Sequence, residues 1–468
     1  MRVVSLGVWV FVNLVFLGMS AYLYLLWVQY WRYVDANTFQ PLVTNYTSAT
    51  ALHNKVREIE VRAGKPRFYS RRQEAGPPPP PPPSPPRSPT HAPNITTTTP
   101  MTREQLLKAI DRHKMDVMVR LRKEQMREGN ILIKHKNKYG VNYKGPRIRG
   151  NPSKEQMLCA FRGASFRSLR DGDEPFTSQG VAKHFPSTGL LEGRYFNTCA
   201  VVTNAGAIKG AQLGNFIATT IFAQCGVSEG VSAQQWTRLA YALGLKRQAP
   251  VRPMNIDSHD AVIRFNHAPT EGFQHDVGSR TTLRIVNSQV VTKPMFDFWG
   301  SPLYSGTALL VWDPSNYNAS LEEWYTAPDF DFFPVYFRRR LMLPQEDMHL
   351  LHPASLWRVW DVIQRHTNTH VLPNPPSSGF LGIVLMLAHC ETVSVVEFVP
   401  SLRQTEKCHY WDAFNNPMCT FGGWHPLATE KLLAFALNEA TDEETFGKGY
   451  IRIPGFRSLT CSSQDPPR

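Results

Sequence analysis

The longest uninterrupted apolar run opens the chain: from Val3 to Val28 no position is charged, and Ser5, Asn13 and Ser20 are the main polar breaks. Wound as a helix, such a run is long enough to cross ~30 Å of hydrocarbon, so the pattern predicts a transmembrane signal-anchor over 3–28. Trp27, Tyr30 and Trp31 at its end suit the membrane interface. A cleaved secretory signal is the rival reading, with Gly18 and Ser20 as its small residues, but the run exceeds a usual signal core. Arg2 and Arg32 flank the run evenly, so charge does not orient it. The short tail, 1–2, is expected in the cytosol and everything after residue 28 in the lumen.

Past the run, apolar periodicity disappears over an expected luminal stem, 29–150. Residues 77–86 hold nine prolines in ten positions, and Pro, Ser and Thr continue to Pro100. The linker 77–100 reads as extended polyproline II, which cannot build a core. An SH3 or WW ligand is the alternative, but those domains are cytosolic. Helical spacing returns in a basic stretch with Leu106, Leu107, Ile110, Val117, Met118 and Leu121 among its apolar positions.

From Cys159 onward, short apolar runs alternate with helix-like stretches. Cys199–Val202, Ala261–Phe265, Thr281–Val286, Thr307–Trp312 and Val393–Val399 predict strands, and Phe380–Cys390 and Thr429–Asn438 predict helices. The fold class is therefore α/β: a mainly parallel central sheet flanked by helices, spanning 151–461 with a tail at 462–468. Ligands in such sheets bind beyond the carboxyl ends of the strands.

Composition narrows the class. Of 468 residues, 42% are hydrophobic and 11% aromatic, enough to bury a full core, which excludes a wholly disordered chain. The net charge of +13 suggests nucleic acid, an anionic membrane surface or acidic substrates. Its location decides: Met101–Leu158 carries fifteen Lys/Arg against six Asp/Glu, most of the excess. Without stacking aromatics or a binding motif from Met101 to Met126, that charge reads as a solvated face and no nucleic-acid partner is expected. Asn45, Asn94 and Asn318 begin glycosylation sequons, which supports a luminal body. Seven cysteines suggest an even disulfide framework with one left over.

Candidate chemistry gathers at strand and helix ends. The first body strand runs into Thr203, Asn204, Ala205 and Gly206, a small-residue turn that lets backbone approach a ligand. Asn266 ends one strand, and Asn287, Ser288 and Gln289 end the next; these carboxamides could meet a base, sugar or phosphate, or simply form turns. Ser377, Ser378 and Gly379 precede an apolar helix, whose free N–H groups suit an anion, although capping alone also explains the serines. His425, in GGWHPLATEK, is the side-chain type suited to removing a hydroxyl proton near neutral pH. Asp329 with Asp331, and Asp171 with Asp173, mimic an Asp-x-Asp metal pair, a triplet common by chance.

Four segments carry a resemblance: CAVVTNAGAIKGAQLG, IDSHDAVIRFNHAPTEGFQHDVGSRTTLRIVNSQ, PPSSGFLGIVLMLAHCETVSVVEFVPS and CHYWDAFNNPMCTFGGWHPLATEK. In order and spacing they resemble the motifs of animal sialyltransferases. With WDPSNY and the closing GFRSLTC, residues 159–461 are most similar to the β-galactoside α-2,6 group. The resemblance implies a Rossmann-like α/β/α body in a single-pass type II Golgi membrane protein. It implies transfer of sialic acid from CMP-sialic acid to the 6-hydroxyl of terminal β-galactose on glycoproteins, with inversion and with no metal or other cofactor. His425 would be the catalytic base. Asn204, Asn266, Ser377, Ser378 and Gly379 would surround the donor, with Asn287 between donor and acceptor, and Gln289, Asp329 and Trp424 would meet the galactose. Trp424 stands where these enzymes usually carry Tyr, keeping the stacking surface and losing the phenol. Family pairing would join Cys159 with Cys461, Cys199 with Cys390, and Cys408 with Cys419, leaving Cys225; a homodimer is left open. One departure is large: Asn215–Asn255 stand where the family has two residues, an excess of 39 that splits the first motif at about 216–254. Read as a surface excursion it is tolerated; read as an unspliced segment it damages folding, and the alternative function is then a catalytically silent glycan- or nucleotide-binding protein.

Overall fold

A computed structural model describes residues 101–130, 137–148, 150, 152–164, 166–214, 254–416 and 423–461. The expected anchor, the proline-rich linker, the sequons at Asn45 and Asn94, Cys225, Cys419 and the tail lie outside the described residues. No helix among the described residues is long and apolar enough to cross a membrane.

The strands are β1 (Phe196–Val202), β2 (Ala261–Phe265), β3 (Leu283–Asn287), β4 (Ala308–Trp312), β5 (Met348–Leu350), β6 (Cys390–Val396) and β7 (Tyr450–Pro454). They form one sheet in the order β5-β4-β3-β2-β1-β6-β7. Every neighbouring pair is parallel except β6 and β7. The sheet is thus mixed, as the alternation of apolar runs predicts apart from the antiparallel edge. Residues of β2 and β4 are buried throughout, as expected of strands covered on both faces. Cys199 and Val201 pack into one core while Ala200 and Val202 pack into the other.

The helices are α1 (Arg103–Asn130), α2 (Lys154–Gly163), α3 (Gln274–Val277), α4 (Ser288–Thr292), α5 (Leu321–Thr326), α6 (Phe333–Met342), α7 (Ala354–Arg365), α8 (Ser378–His389) and α9 (Leu427–Ala436). Helix α8 is apolar nearly all round because it lies between the sheet and other elements; a Cβ at Gly382 would meet the Phe265 ring at 2.6 Å, so glycine permits that close approach. It passes directly into β6, so that strand starts at Cys390 rather than at Val393 as the sequence predicts. The strand stops where Glu397 adopts φ 50°.

Helix α1 falls in the stretch expected as stem, yet it packs on the body: Ile110, Val117 and Leu121 are buried in the core shared with α8. Its arginines are exposed, which is the solvated face expected for the basic stretch. Near its end the buried Glu128 carboxylate accepts from the Ala428 N–H and the Thr429 hydroxyl, both at 3.0 Å. A segment remote in sequence thereby caps α9.

Two disulfides match the family pairing. Cys199–Cys390 joins β1 to β6, and Cys159–Cys461 ties α2 to the end of the body. Cys408 is also disulfide-bonded. The excursion leaves and rejoins the body at one place: the Ile256 N–H donates to the Leu213 carbonyl at 2.8 Å, and Gly214 donates to the His275 carbonyl at 2.9 Å. There, Asp257 accepts from the backbone of Ser279 and Arg280, ahead of β3 and away from the strands' carboxyl ends.

Candidate active site

Strand order reverses direction at β1: β2 through β5 lie on one side of it and β6 on the other. Such a switch point opens a crevice at the carboxyl ends of the strands. A cleft of about 240 Å³ lies there, lined by Thr203–Ala207 after β1, Asn266 after β2, Ser377–Gly379 at the start of α8, Glu397 after β6, and His425 with Lys431. Six of the residues singled out in the sequence therefore share one wall: Asn204, Asn266, Ser377, Ser378, Gly379 and His425.

Asn266 turns the chain in the left-handed region, φ 51°, a conformation asparagine tolerates. The buried Arg284 guanidinium holds that turn by donating to the Asn266 carbonyl at 2.8 Å. Burial lowers the guanidinium pKa to about 10. The Asn266 side-chain oxygen accepts from the Asn287 N–H at 3.1 Å, which couples the ends of β2 and β3. Asn287 itself caps α4, its side chain accepting from Val290, and is not among the residues lining the cleft. The Asn204 side-chain oxygen is buried at the cleft without a hydrogen-bond partner among the described residues.

At the start of α8 the serines divide the work. Ser377 caps the helix, accepting from Phe380, and gives its N–H and hydroxyl to the Glu430 carboxylate at 2.7 and 2.5 Å. The Ser378 hydroxyl accepts from the Trp312 indole at 3.2 Å and keeps its own proton to donate. The first amides of the helix, at Ser378 and Gly379, face the cleft at the positive end of a twelve-residue dipole. Ser377 is the cap, as one of the two sequence readings has it, and Ser378 and Gly379 border the cleft.

His425 is half-buried, and its Nδ1 lies 2.8 Å from the Pro375 carbonyl. A carbonyl only accepts, so Nδ1 carries the proton and Nε2 the lone pair. Burial lowers the imidazole pKa below 6.5, against the smaller opposing pull of that hydrogen bond. The ring is neutral at physiological pH with Nε2 available as a base. Two groups beside it escape the sequence reading. Glu430 is pushed up to about 7 by burial, and Lys431, donating to the Phe398 carbonyl, is lowered to about 8 by burial. The spacing from His425 to Glu430 was the available signal, but a lone carboxylate five residues on has no distinctive pattern.

Gln289, Asp329 and Trp424 do not line this cleft; they gather beside it. Trp424 adjoins His425 and is half-exposed at 49%, leaving an open aromatic face. Its ring stands edge-on to Tyr139, 6.5 Å between centroids, and the Lys138 ammonium lies 5.9 Å above it. The Tyr139 hydroxyl donates to Asp329 at 3.4 Å, and Lys138 forms an ion pair with the same carboxylate. Gln289 accepts from Lys293 at 2.8 Å, and that ammonium lies 5.6 Å from the Phe330 ring, next to Asp329. Lys138 and Tyr139 come from the stretch read as stem, and nothing local marks them.

Metal-ligand sets are weak among the described residues. Asp329 is neutralised by Lys138, and Asp173 accepts from Arg167 and from the Arg170 N–H. Cys408, His409 and Asp412 approach one another, but Cys408 is disulfide-bonded and His409 pairs with Asp412 at 2.9 Å. Asn318 is exposed, as a glycosylation acceptor must be.

Residues 254–441 match glycosyltransferase family 29 (sialyltransferase), so the first half of the split motif, 199–214, precedes the match. The chain is 39% identical over 332 residues to a β-galactoside α-2,6-sialyltransferase 2 of Xenopus tropicalis, covering 70% of this chain and 57% of that protein. It is 40% identical to the Bos taurus protein of that name, over 69% and 58%, and 39% identical to the Homo sapiens one, over 70% and 55%. The chain thus spans less than three fifths of the length of the curated relatives it matches. A solved mammalian sialyltransferase is 20% identical, covering 64% of this chain and 88% of its own, with a TM-score of 0.33, too distant to add to the fold described above.

Proposed function

We propose that the chain is a sialyltransferase, since residues 254–441 match glycosyltransferase family 29 and the chain is 39% identical to a β-galactoside α-2,6-sialyltransferase 2, and that it transfers sialic acid from CMP-sialic acid to the 6-hydroxyl of terminal β-galactose on glycoprotein glycans. The single observation that carries this reading is that a neutral imidazole and the open amide end of α8 line the same cleft at the sheet's switch point. His425 Nε2 takes the proton of the 6-hydroxyl as that oxygen bonds to the anomeric carbon of sialic acid. The bond from that carbon to the phosphate oxygen breaks, and the electron pair leaves on CMP. The amides of Ser378 and Gly379 and the Ser378 hydroxyl meet the growing phosphate charge. Attack opposite the departing nucleotide inverts the centre. The pairing of Asp329 with Lys138 supports its use as a sugar hydrogen-bond acceptor in a metal-independent reaction. Trp424 offers the galactose an apolar stacking face.

A luminal Golgi enzyme anchored through 3–28 fits the same reading, since its disulfides belong to an oxidising compartment. Incubating the full chain with CMP-sialic acid and N-acetyllactosamine tests the proposal. The expected product carries sialic acid on O6 of galactose; CMP-sialic acid bound without any product contradicts it and favours a silent binding protein, the reading that the split first motif suggests.

A further inference from the structure

The Asp313 carboxylate lies wholly inside the protein, just past the end of β4, and receives three donors from three separate places. The Ser288 hydroxyl donates to one oxygen; the Trp324 indole N–H and the Asp329 backbone N–H, both at 2.9 Å, donate to the other. Ser288 sits between Asn287 and Gln289 at the start of α4, and Trp324 belongs to α5. One buried group therefore joins the carboxamides at the end of β3 to the loop bearing Asp329. Neither Gln289 nor Asp329 is hydrogen-bonded to the other among the described residues; each instead engages a lysine, Lys293 or Lys138.

Resting on the transferase reading above, we propose that Asp313 is the positioning residue of the acceptor site, setting the spacing between Gln289 and Asp329 without touching the glycan. A carboxylate is suited to this post because it accepts in several directions at once. Burial pushes its pKa up to about 6, so the three donors hold an anion whose burial is otherwise unfavourable. Removing it leaves two N–H groups and a hydroxyl unsatisfied, and the two halves of the acceptor site lose their common reference. The donor cleft shares none of these contacts.

The amide variant separates geometry from charge. In Asp313→Asn the remaining oxygen can accept from Trp324 and Asp329 while the new N–H₂ donates to Ser288, so the spacing survives. In Asp313→Ala nothing replaces it. Kinetics of the full chain with N-acetyllactosamine, together with direct binding of that glycan, are the test. Asp313→Ala is expected to raise the acceptor KM about tenfold, equivalent to about 1.4 kcal/mol, with the CMP-sialic acid KM unchanged and Asp313→Asn near wild type. Ser288→Ala, which removes one donor and leaves the carboxylate, provides a milder rise if Asp313→Ala does not fold. Equal rises in both KM values, or an acceptor KM unmoved by both Asp313→Ala and Ser288→Ala, overturn the proposal. A wild-type chain that transfers normally while the variants behave so defeats the positioning role alone. A wild-type chain that neither transfers to nor binds the glycan defeats the acceptor reading and the role with it.

Discussion

Ser377 gives both its amide and its hydroxyl to the carboxylate of Glu430, at 2.7 and 2.5 Å, so the mouth of α8 is fastened to the helix that follows His425. The two sides of the cleft, the start of α8 and the segment bearing His425, are held to one another by that pair. Neither helix end can drift without breaking a buried contact.

Glu430 titrates at about 7 because burial penalises its charge more than Ser377 relieves it. Its folded pKa exceeds its unfolded value of 4.5, so the folded state holds more protons across that interval and stability falls as pH rises from 4.5 through 7. Glutamine does not titrate. The melting temperature of Glu430→Gln relative to wild type is therefore expected to improve between pH 5 and about 7.5, measured by scanning calorimetry. A difference that stays flat over that range contradicts the buried, raised carboxylate.

Glu128 makes α1 part of the body. Glu128→Ala leaves the Ala428 N–H and the Thr429 hydroxyl unmet and should cost about 1–2 kcal/mol in urea unfolding. Glu128→Gln, which can still accept, should cost less. If neither changes the midpoint, α1 does not support the helix behind His425.

Leu213 and Ile256 close across the excursion by a backbone hydrogen bond, so the body does not need the intervening residues to bring its halves together. Deleting 216–253 joins Asn215 to Met254, which stays packed with Leu213 and Ile256, and is expected to keep the melting temperature within a few degrees and transfer within about threefold. Loss of soluble protein on deletion would show instead that the excursion carries structure the body requires.

Much of this architecture was legible in the sequence because buried parallel strands are written as short β-branched runs. Ala261–Phe265 is read to the residue, and β1, β3 and β4 to within a few residues at each end. The edges were not. β5 is three residues long around His349, and β7 contains Arg452 and ends at Pro454, so neither carries the apolar run that marks a central strand. The cleft wall was legible for a related reason: strand-end asparagines and a Ser-Ser-Gly before an apolar helix have local chemistry. Tyr139, Lys138, Glu128 and Asp313 act through partners far away or through burial, and no local spacing records either. The stretch before residue 150 reads as stem although the helical spacing of Ile110, Val117 and Leu121 is visible, because the residues they pack against lie near the other end of the chain and no local pattern names them.

The central claim is that His425 Nε2 removes the acceptor proton, and the pH–rate profile of wild type beside His425→Ala measures it most directly. Wild type should keep its rate to pH values below 6.5, because burial holds the ring neutral there, and lose it only as the lowered pKa is crossed. His425→Ala should fall by about 10²–10⁴-fold in kcat and lose that acid limb, while CMP-sialic acid still binds at the start of α8. A variant that transfers within about tenfold of wild type with the same acid limb would contradict the account.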